Sequence, residues 1–226
     1  MTDPVAGTFA GHGLAIHEDD GLAYGFTAAG FPAAVLKELF PSRPLLFLRQ
    51  VHADLIVSDG EWHAGVEADG LLLERPGVVA VVQTADCLPL FFFSGGRRRG
   101  GVVHVGWRGL LRGIEAKLVE RLGDGLAEYS FFLGPAIERS CYEVGEELPE
   151  LFAKKPYGKD IFSKTREGKY AMDLKAGVKL SLAGLGVAAG SIRDSGLCTY
   201  CSGGRFPSYR RDGQTGRRIF NFLQLK

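Results

Sequence analysis

"QTADCLPLFFFSGGRRRGGVVHVGWRG", residues 83–109, sets two strongly apolar runs either side of a glycine- and arginine-rich link. "LPLFFF" (88–93) and "GVVHV" (101–105) are built from β-branched, aromatic and aliphatic residues, and "SGGRRRGG" (94–101) supplies the turn between them, so the stretch reads as a β-hairpin. The arginines of the link read as a solvated loop tip. Cys87 stands at the start of the first run and His104 near the end of the second. Their separation, 104 − 87 = 17 positions, is that of two strands and a hairpin, which would bring the two side chains together.

Working outward, further short runs read as strands: "LLFLRQVH" (45–52), "DLIVSDG" (54–60), "DGLLLE" (69–74), "GVVAVVQT" (77–84), "YSFFLG" (129–134) and "RRIFNFLQL" (217–225). Glycine, proline or charge bounds nearly all of them. Three helices are expected. "GLLRGIEAKLVERLG" (109–123) places Leu111, Ile114, Leu118, Val119 and Leu122 on one stripe. "GEELPELFAKK" (145–155) has acids early and lysines late, matching the helix dipole. "MDLKAGVKLSLAGLG" (172–186) has Asp173 as N-cap and ends at Gly184 or Gly186. Helices grouped late rather than alternating with strands predict an α+β fold, not a doubly wound sheet. With no repeat and no low-complexity linker, a single domain over 1–226 is expected.

The chain has 226 residues, 46% of them hydrophobic, enough for a full core. A formal net charge of +1 argues against a nucleic-acid binder held by phosphate contacts. No apolar stretch reaches the roughly 20 residues of a membrane helix. Residues 1–13 lack a basic segment followed by an apolar run, so no secretory signal is expected. Four cysteines in a chain of this length do not make a disulfide scaffold. A cytoplasmic protein is the expectation.

Histidine is scarce, with five in all, yet His52 and His104 both sit at ends of apolar strand-like runs. Either alone reads as a hydrogen-bonded core residue. Joined by Cys87 at the end of a third run, they describe a site assembled at one rim of a sheet. Two chemistries fit. Cys87 is a nucleophile with His104 as its base, oriented by His52 or a carboxylate. Or His52, Cys87 and His104 bind one Zn²⁺, leaving a fourth position for water, which such a metal acidifies. Spacing does not choose between them. Asp86 beside Cys87 reads equally as a partner of a ligand imidazole or as a turn cap before Pro89. Cys198 and Cys201 form "CTYC", read as structural or incidental; the nucleobase-deaminase zinc pattern fails here, since it needs H-x-E upstream. Arg108, pinned between Trp107 and Gly109, is a candidate anion fork. Arg211, Arg217 and Arg218 read as solvated surface.

In this order the motifs "QVHAD", "ADG", "TADCLPL", "HVGWRGLLRGI", "LGPAIERSCYEVG", "MDLKAGVKLSLAGLGV", "CTYC" and "SYRRDGQTGRR" resemble the YfiH-like family, long labelled multicopper polyphenol oxidoreductase or laccase-domain proteins. The resemblance covers nearly the whole chain from Gln50 onward. It implies an α+β sandwich of mixed sheets flanked by helices, similar to Cys-His toxin deamidases. It also implies zinc held by His52, Cys87 and His104, with copper as the other metal. The implied activities are phosphorolysis of purine nucleosides, including methylthioadenosine, together with adenosine deamination. Substrates would then be nucleosides and phosphate, with Arg108 and Arg210 on phosphate and Glu143 as an acid or orienting carboxylate. "YGFTAAGFP" (24–32) departs from the family in lacking an arginine and a double glycine, which bears on substrate preference.

Three other readings stand beside this one. A copper-dependent phenol oxidase is one, although a multicopper site needs many more histidines than five. A Cys-His hydrolase acting on cell-wall precursors through Cys87 and His104 is another. The third is a purely structural zinc, which calls for a fourth ligand; His63 and Cys141 are the spare candidates.

Overall fold

The structure, a computed structural model, describes residues 3–18, 21–96 and 98–226. The chain opens with three strands, β1 (Val5–Phe9), β2 (His12–Glu18) and β3 (Leu22–Thr27), and a short helix α1 (Ala33–Leu39). Four more strands follow, β4 (Leu45–Phe47), β5 (Ile56–Ser58), β6 (Gly70–Leu73) and β7 (Val79–Thr84). The hairpin read from 83–109 is there as β8 (Leu88–Ser94) and β9 (Arg99–Val105), paired antiparallel out to Ser94–Arg99. In its link, Arg98 donates to the Lys226 carbonyl at 2.7 Å and Arg99 pairs with Glu74 at 2.7 Å. Arg97 lies outside the described residues.

Helices α2 (Trp107–Arg112) and α3 (Ile114–Leu122) come next. The sequence predicts one helix here, and the structure divides it at Gly113, whose φ of 87° only glycine adopts without strain. Of the predicted stripe, Ile114, Leu118 and Leu122 are buried, Leu111 and Val119 pack half-buried against the same core, and Leu110, not part of the expected stripe, is buried with them. Then follow β10 (Ser130–Leu133), β11 (Glu143–Gly145), α4 (Glu147–Phe152), β12 (Phe162–Arg166), β13 (Lys169–Met172) and α5 (Leu174–Gly184). Asp173 caps α5 as expected, accepting from the Ala176 amide at 2.8 Å. The chain closes with β14 (Ile192–Asp194), α6 (Tyr209–Asp212) and β15 (Ile219–Leu225).

Two six-stranded sheets result, ordered β1-β2-β3-β15-β7-β4 and β14-β10-β8-β9-β6-β5, with a small third sheet β11-β13-β12. Both large sheets are mixed: β4–β7, β5–β6 and β10–β14 pair parallel and the rest antiparallel. Alternation along each strand decides the layering. Phe91, Val102 and Phe132 of one sheet meet Tyr24, Val82 and Leu223 of the other in a core between the sheets. Leu90, Phe92 and Val103, one residue out of phase, pack instead on α2, α3 and α5. On the far side, Val81 and Phe222 pack on Leu36 of α1. Strands buried on both faces need apolar side chains at every position, which is why "LPLFFF" does not alternate. Removing one of these side chains, as in Phe91→Ala, would cost about 3–5 kcal/mol. The architecture is an α+β sandwich of mixed sheets flanked by helices.

Candidate metal centre

The hairpin register fixes half of the site. Leu88 pairs with Val105 and Pro89 with His104, which sets Cys87 across from Gly106. Positions 87, 89 and 91 share a face with 102 and 104, and Phe91 and Val102 place that face between the sheets. Cys87 and His104 therefore emerge together where the inter-sheet core ends. His52 comes from the loop between β4 and β5 with a φ of 57°, a left-handed conformation rare for a residue with a Cβ.

Asp69, fully buried just before β6, holds that conformation in place. Its carboxylate accepts from the backbone amides of Val51, His52 and Ala53 at 3.2, 3.1 and 2.7 Å. The same carboxylate accepts from Nδ1 of His104 at 2.7 Å. Gln50 and Gln83 exchange two hydrogen bonds (2.7 and 2.8 Å) that dock the loop on β7, and Arg112 donates to the His52 carbonyl at 2.9 Å. A buried carboxylate with four donors is fully satisfied. Burial pushes the Asp69 carboxyl up, but His104 and the amides outweigh it and hold it below the ordinary range.

His52, Cys87 and His104 each offer one ligand atom, all within 4.8 Å of one another. The two imidazoles meet edge to face with centroids 4.7 Å apart. Gly106 completes the cradle, since a Cβ there would stand 2.9 Å from His52 Nδ1 and 3.0 Å from Cys87 Sγ. Burial pushes the Cys87 thiol up, yet the His104 and His52 imidazoles overcome this and bring it to about 6. Burial pushes His104 down, and the Cys87 thiolate and Asp69 carboxylate reverse that, to about 9. Two imidazoles and a thiolate, one imidazole backed by a carboxylate, are a donor set that fits zinc. Without metal, Cys87, His104 and Asp69 also stand in the order of a nucleophile, its base and an orienting acid.

A cleft of about 610 Å³ opens over this cluster. Trp107, Tyr142 and Tyr209 line it, with Arg108, Arg210 and Arg218. Arg108 stacks over the Trp107 ring at 4.3 Å. Arg210 lies 5.4 Å from the Tyr142 ring and donates to the Glu143 carbonyl at 2.7 Å. Arg218, read as solvated surface, is instead part of the cleft. Arg211 is not free surface either: its guanidinium donates to the carbonyls of Thr199, Tyr200 and Phe206 and pairs with Asp212.

The Glu143 carboxylate turns out of the cleft and pairs with Arg166 at 2.7 Å. The geometry gives it no role as an acid toward a ligand there. Asp86 partners neither imidazole. Its carboxylate accepts from Thr199 Oγ1 (2.5 Å), Ser208 Oγ (3.0 Å) and the Arg210 amide (2.7 Å), tying the Arg210 segment to the residue before Cys87. His63 is exposed and Cys141 lies with Cys198 and Cys201, so neither completes the first cluster. The 24–32 stretch does not line the cleft. Sequence reasoning gave Asp69 no role. The signal was present in "EADGLLLE", an acid opening a strand that is otherwise all apolar.

A family model described as multi-copper polyphenol oxidoreductase laccase matches residues 33–225. Purine nucleoside phosphorylase YfiH of Escherichia coli (strain K12) is 36% identical over 186 residues, 82% of this chain and 75% of that protein. The chain belongs to the YfiH-like family. Purine nucleoside phosphorylase YlmD of Bacillus subtilis (strain 168) is a more distant YfiH-like relative, 33% identical over 74% of this chain and 62% of its own length. Crystal structures agree on the YfiH-like fold. Bacillus licheniformis hypothetical protein YfiH superposes with a TM-score of 0.87 at 27% identity, covering 98% of this chain and 99% of that one. YlmD from Geobacillus stearothermophilus gives 0.85 at 25% identity, covering 99% of each.

Proposed function

We propose that the chain is a zinc-dependent purine nucleoside phosphorylase acting on adenosine, inosine, guanosine and methylthioadenosine, with adenosine deamination as a second reaction. The observation that carries this reading is the His52–Cys87–His104 cluster beneath a cleft walled by aromatic rings and arginines. The 36% identity to a protein named purine nucleoside phosphorylase supports it. His52, Cys87 and His104 would hold the zinc, which as a Lewis acid stabilises negative charge developing on a reacting group.

The chain's own side chains supply the rest. Trp107, Tyr142 and Tyr209 offer flat apolar faces for a purine. Arg108, Arg210 and Arg218 offer guanidinium forks for phosphate. In phosphorolysis a phosphate oxygen bonds to C1′ while the bond from C1′ to the purine nitrogen breaks, and the purine leaves with that electron pair. Arginines holding phosphate against C1′ contribute proximity and charge neutralisation. In deamination water adds at C6 of adenosine and ammonia departs, with no phosphate required.

Inosine incubated with and without phosphate tests the reading. Hypoxanthine and ribose 1-phosphate should appear together and only with phosphate. Hypoxanthine release at the same rate without phosphate, or none at all from zinc-loaded protein, would overturn it. The Cys87–His104–Asp69 order supports a second reading, a cysteine hydrolase, which the thiol chemistry discussed below separates from the first.

A further inference from the structure

The fold assembles a second sulfur cluster away from the first. Cys198 and Cys201 sit on one turn, and Cys141 arrives from the segment between β10 and β11. One sulfur from each lies within 4.8 Å of the others. All three are free thiols, Cys198 buried, Cys141 half-buried and Cys201 exposed. We propose that Cys141, Cys198 and Cys201 bind a second metal ion, a thiophilic d¹⁰ cation for which Zn²⁺ is the probe, and that this ion staples one wall of the cleft.

Three features favour a metal over a chance meeting of thiols. First, the spacing suits one. Sulfurs at about 2.3 Å from a tetrahedral zinc lie about 3.8 Å from each other, and the three sulfurs here all fall within 4.8 Å of one another. Second, a backbone amide is aimed at Cys198 Sγ: the Glu138 N–H donates to it at 3.5 Å. Amides pointed at a sulfur favour the thiolate, the form a metal binds.

Third, hydrogen bonds and a buried ion pair tie the two cysteine-bearing segments together. Ala136 bridges Cys198 in parallel register, and Thr199 donates to the Ala136 carbonyl at 3.1 Å. The Lys175 ammonium, only 3% exposed, clamps Glu138 (2.5 Å), Asp194 (3.0 Å) and the Leu197 carbonyl (3.3 Å) around the cluster. Three thiolates from these segments leave the fourth metal position to solvent on the exposed Cys201 side. Binding releases the proton of each thiol still protonated, so no redox partner is needed.

The position gives the ion a consequence. Tyr142, beside Cys141, lines the cleft, and Thr199, beside Cys198, holds the Asp86 carboxylate that in turn holds the Arg210 amide. A bridge between the two sulfur-bearing segments therefore fixes Tyr142 and Arg210 relative to Cys87.

The test counts metal rather than activity, so its failure is distinct from failure of the proposed function. Protein from zinc-supplemented cells, purified with reductant, is compared as Cys87→Ser and as Cys87→Ser/Cys201→Ser by elemental mass spectrometry. The single variant, its first site removed, should keep about one zinc per chain, and the double variant should lose most of it. Equal zinc in the two would overturn the proposal. Because the double variant could misfold, reduced Cys87→Ser is also titrated with Co²⁺. Thiolate-to-cobalt charge-transfer absorption is expected, and its absence would overturn the assignment. So would a Cys198–Cys201 disulfide in freshly isolated metal-free protein, seen as the loss of two hydrogens and a linked peptide.

Discussion

Asp69 and His104 are joined twice, once through the carboxylate and Nδ1 at 2.7 Å and once through the Asp69 carbonyl and the His104 amide at 2.6 Å. With Nδ1 so engaged, the ring presents Nε2 toward Cys87 and His52. Because the same carboxylate gathers the amides of residues 51–53, one buried acid aims two of the three candidate ligands. Asp69→Asn keeps the size but presents an NH₂ where an acceptor is needed. It should lower zinc affinity by about 10–100-fold, the usual consequence of losing such a partner. Competition with a chromophoric chelator reads this, and circular dichroism checks that the variant is folded. Unchanged affinity in a folded variant would mean that packing alone orients His104.

Gly106→Ala probes the cradle from the other side. The φ of Gly106 is −89°, so alanine meets no backbone penalty, and the added methyl acts only on His52 Nδ1 and Cys87 Sγ. Zinc affinity should fall at least about tenfold, or roughly 1.4 kcal/mol, with the melting temperature of the metal-free protein nearly unchanged. Equal zinc binding by both proteins would show that the three side chains do not close on one ion.

How much of this was legible follows the physics of each residue. β4 to β10, the hairpin among them, and β15 announced themselves because nearly every position along them is apolar and most are buried. β1, β2 and β3 did not. Their residues are interspersed with glycine and alanine, and β1 is an exposed edge whose side chains face little. β12 and β13 are short and charged for the same reason. The His52–Cys87–His104 trio was readable as a candidate site because histidine and cysteine are out of place at the ends of core strands. Asp69 was not assigned, because its partners are backbone amides and an imidazole that only the fold brings near. Cys141 likewise joins "CTYC" only in space, and Arg218 enters the cleft only once β15 is placed.

The thiol of Cys87 separates metal ligand from nucleophile. In metal-free protein its pKa is lowered to about 6 and that of His104 raised to about 9. Alkylation of Cys87 should then rise as pH climbs through about 6 rather than 9. With zinc bound, the thiolate is occupied and labelling should be slow at every pH. Fast labelling of zinc-loaded protein would favour the cysteine-hydrolase reading.

The same pair predicts how metal-free stability depends on pH. The lowered thiol adds stability as pH rises from about 6 toward 9. The raised imidazole adds stability present below 6.5 and lost as pH rises through about 9. The two slopes oppose, because one proton has moved from sulfur to nitrogen within an ion pair. Metal-free protein should therefore show little pH dependence from this pair between about 6.5 and 9. Cys87→Ser removes one slope and leaves His104 without the thiolate, so any remaining dependence should be a loss of stability toward high pH. Thermal melts across that range would show it, and a gain in stability with pH in the variant would contradict the pairing.

Arg108 offers the means to divide the two proposed nucleoside reactions. It stacks on Trp107 at the cleft, at the start of α2, which follows β9 and His104. Arg108→Lys keeps the positive charge but loses both the planar fork and the stack, so bidentate phosphate recognition should suffer more than simple attraction. Phosphate-dependent cleavage of inosine should weaken at least about tenfold in kcat/KM, equivalent to roughly 1.4 kcal/mol. Adenosine deamination needs no phosphate and should fall much less. Parallel assays of the two reactions on one preparation, with zinc content measured alongside, make the comparison. Equal losses in both with zinc unchanged would say that Arg108 shapes the whole cleft through Trp107. No loss in either would remove it from substrate binding and leave Arg210 and Arg218 as the phosphate-facing pair.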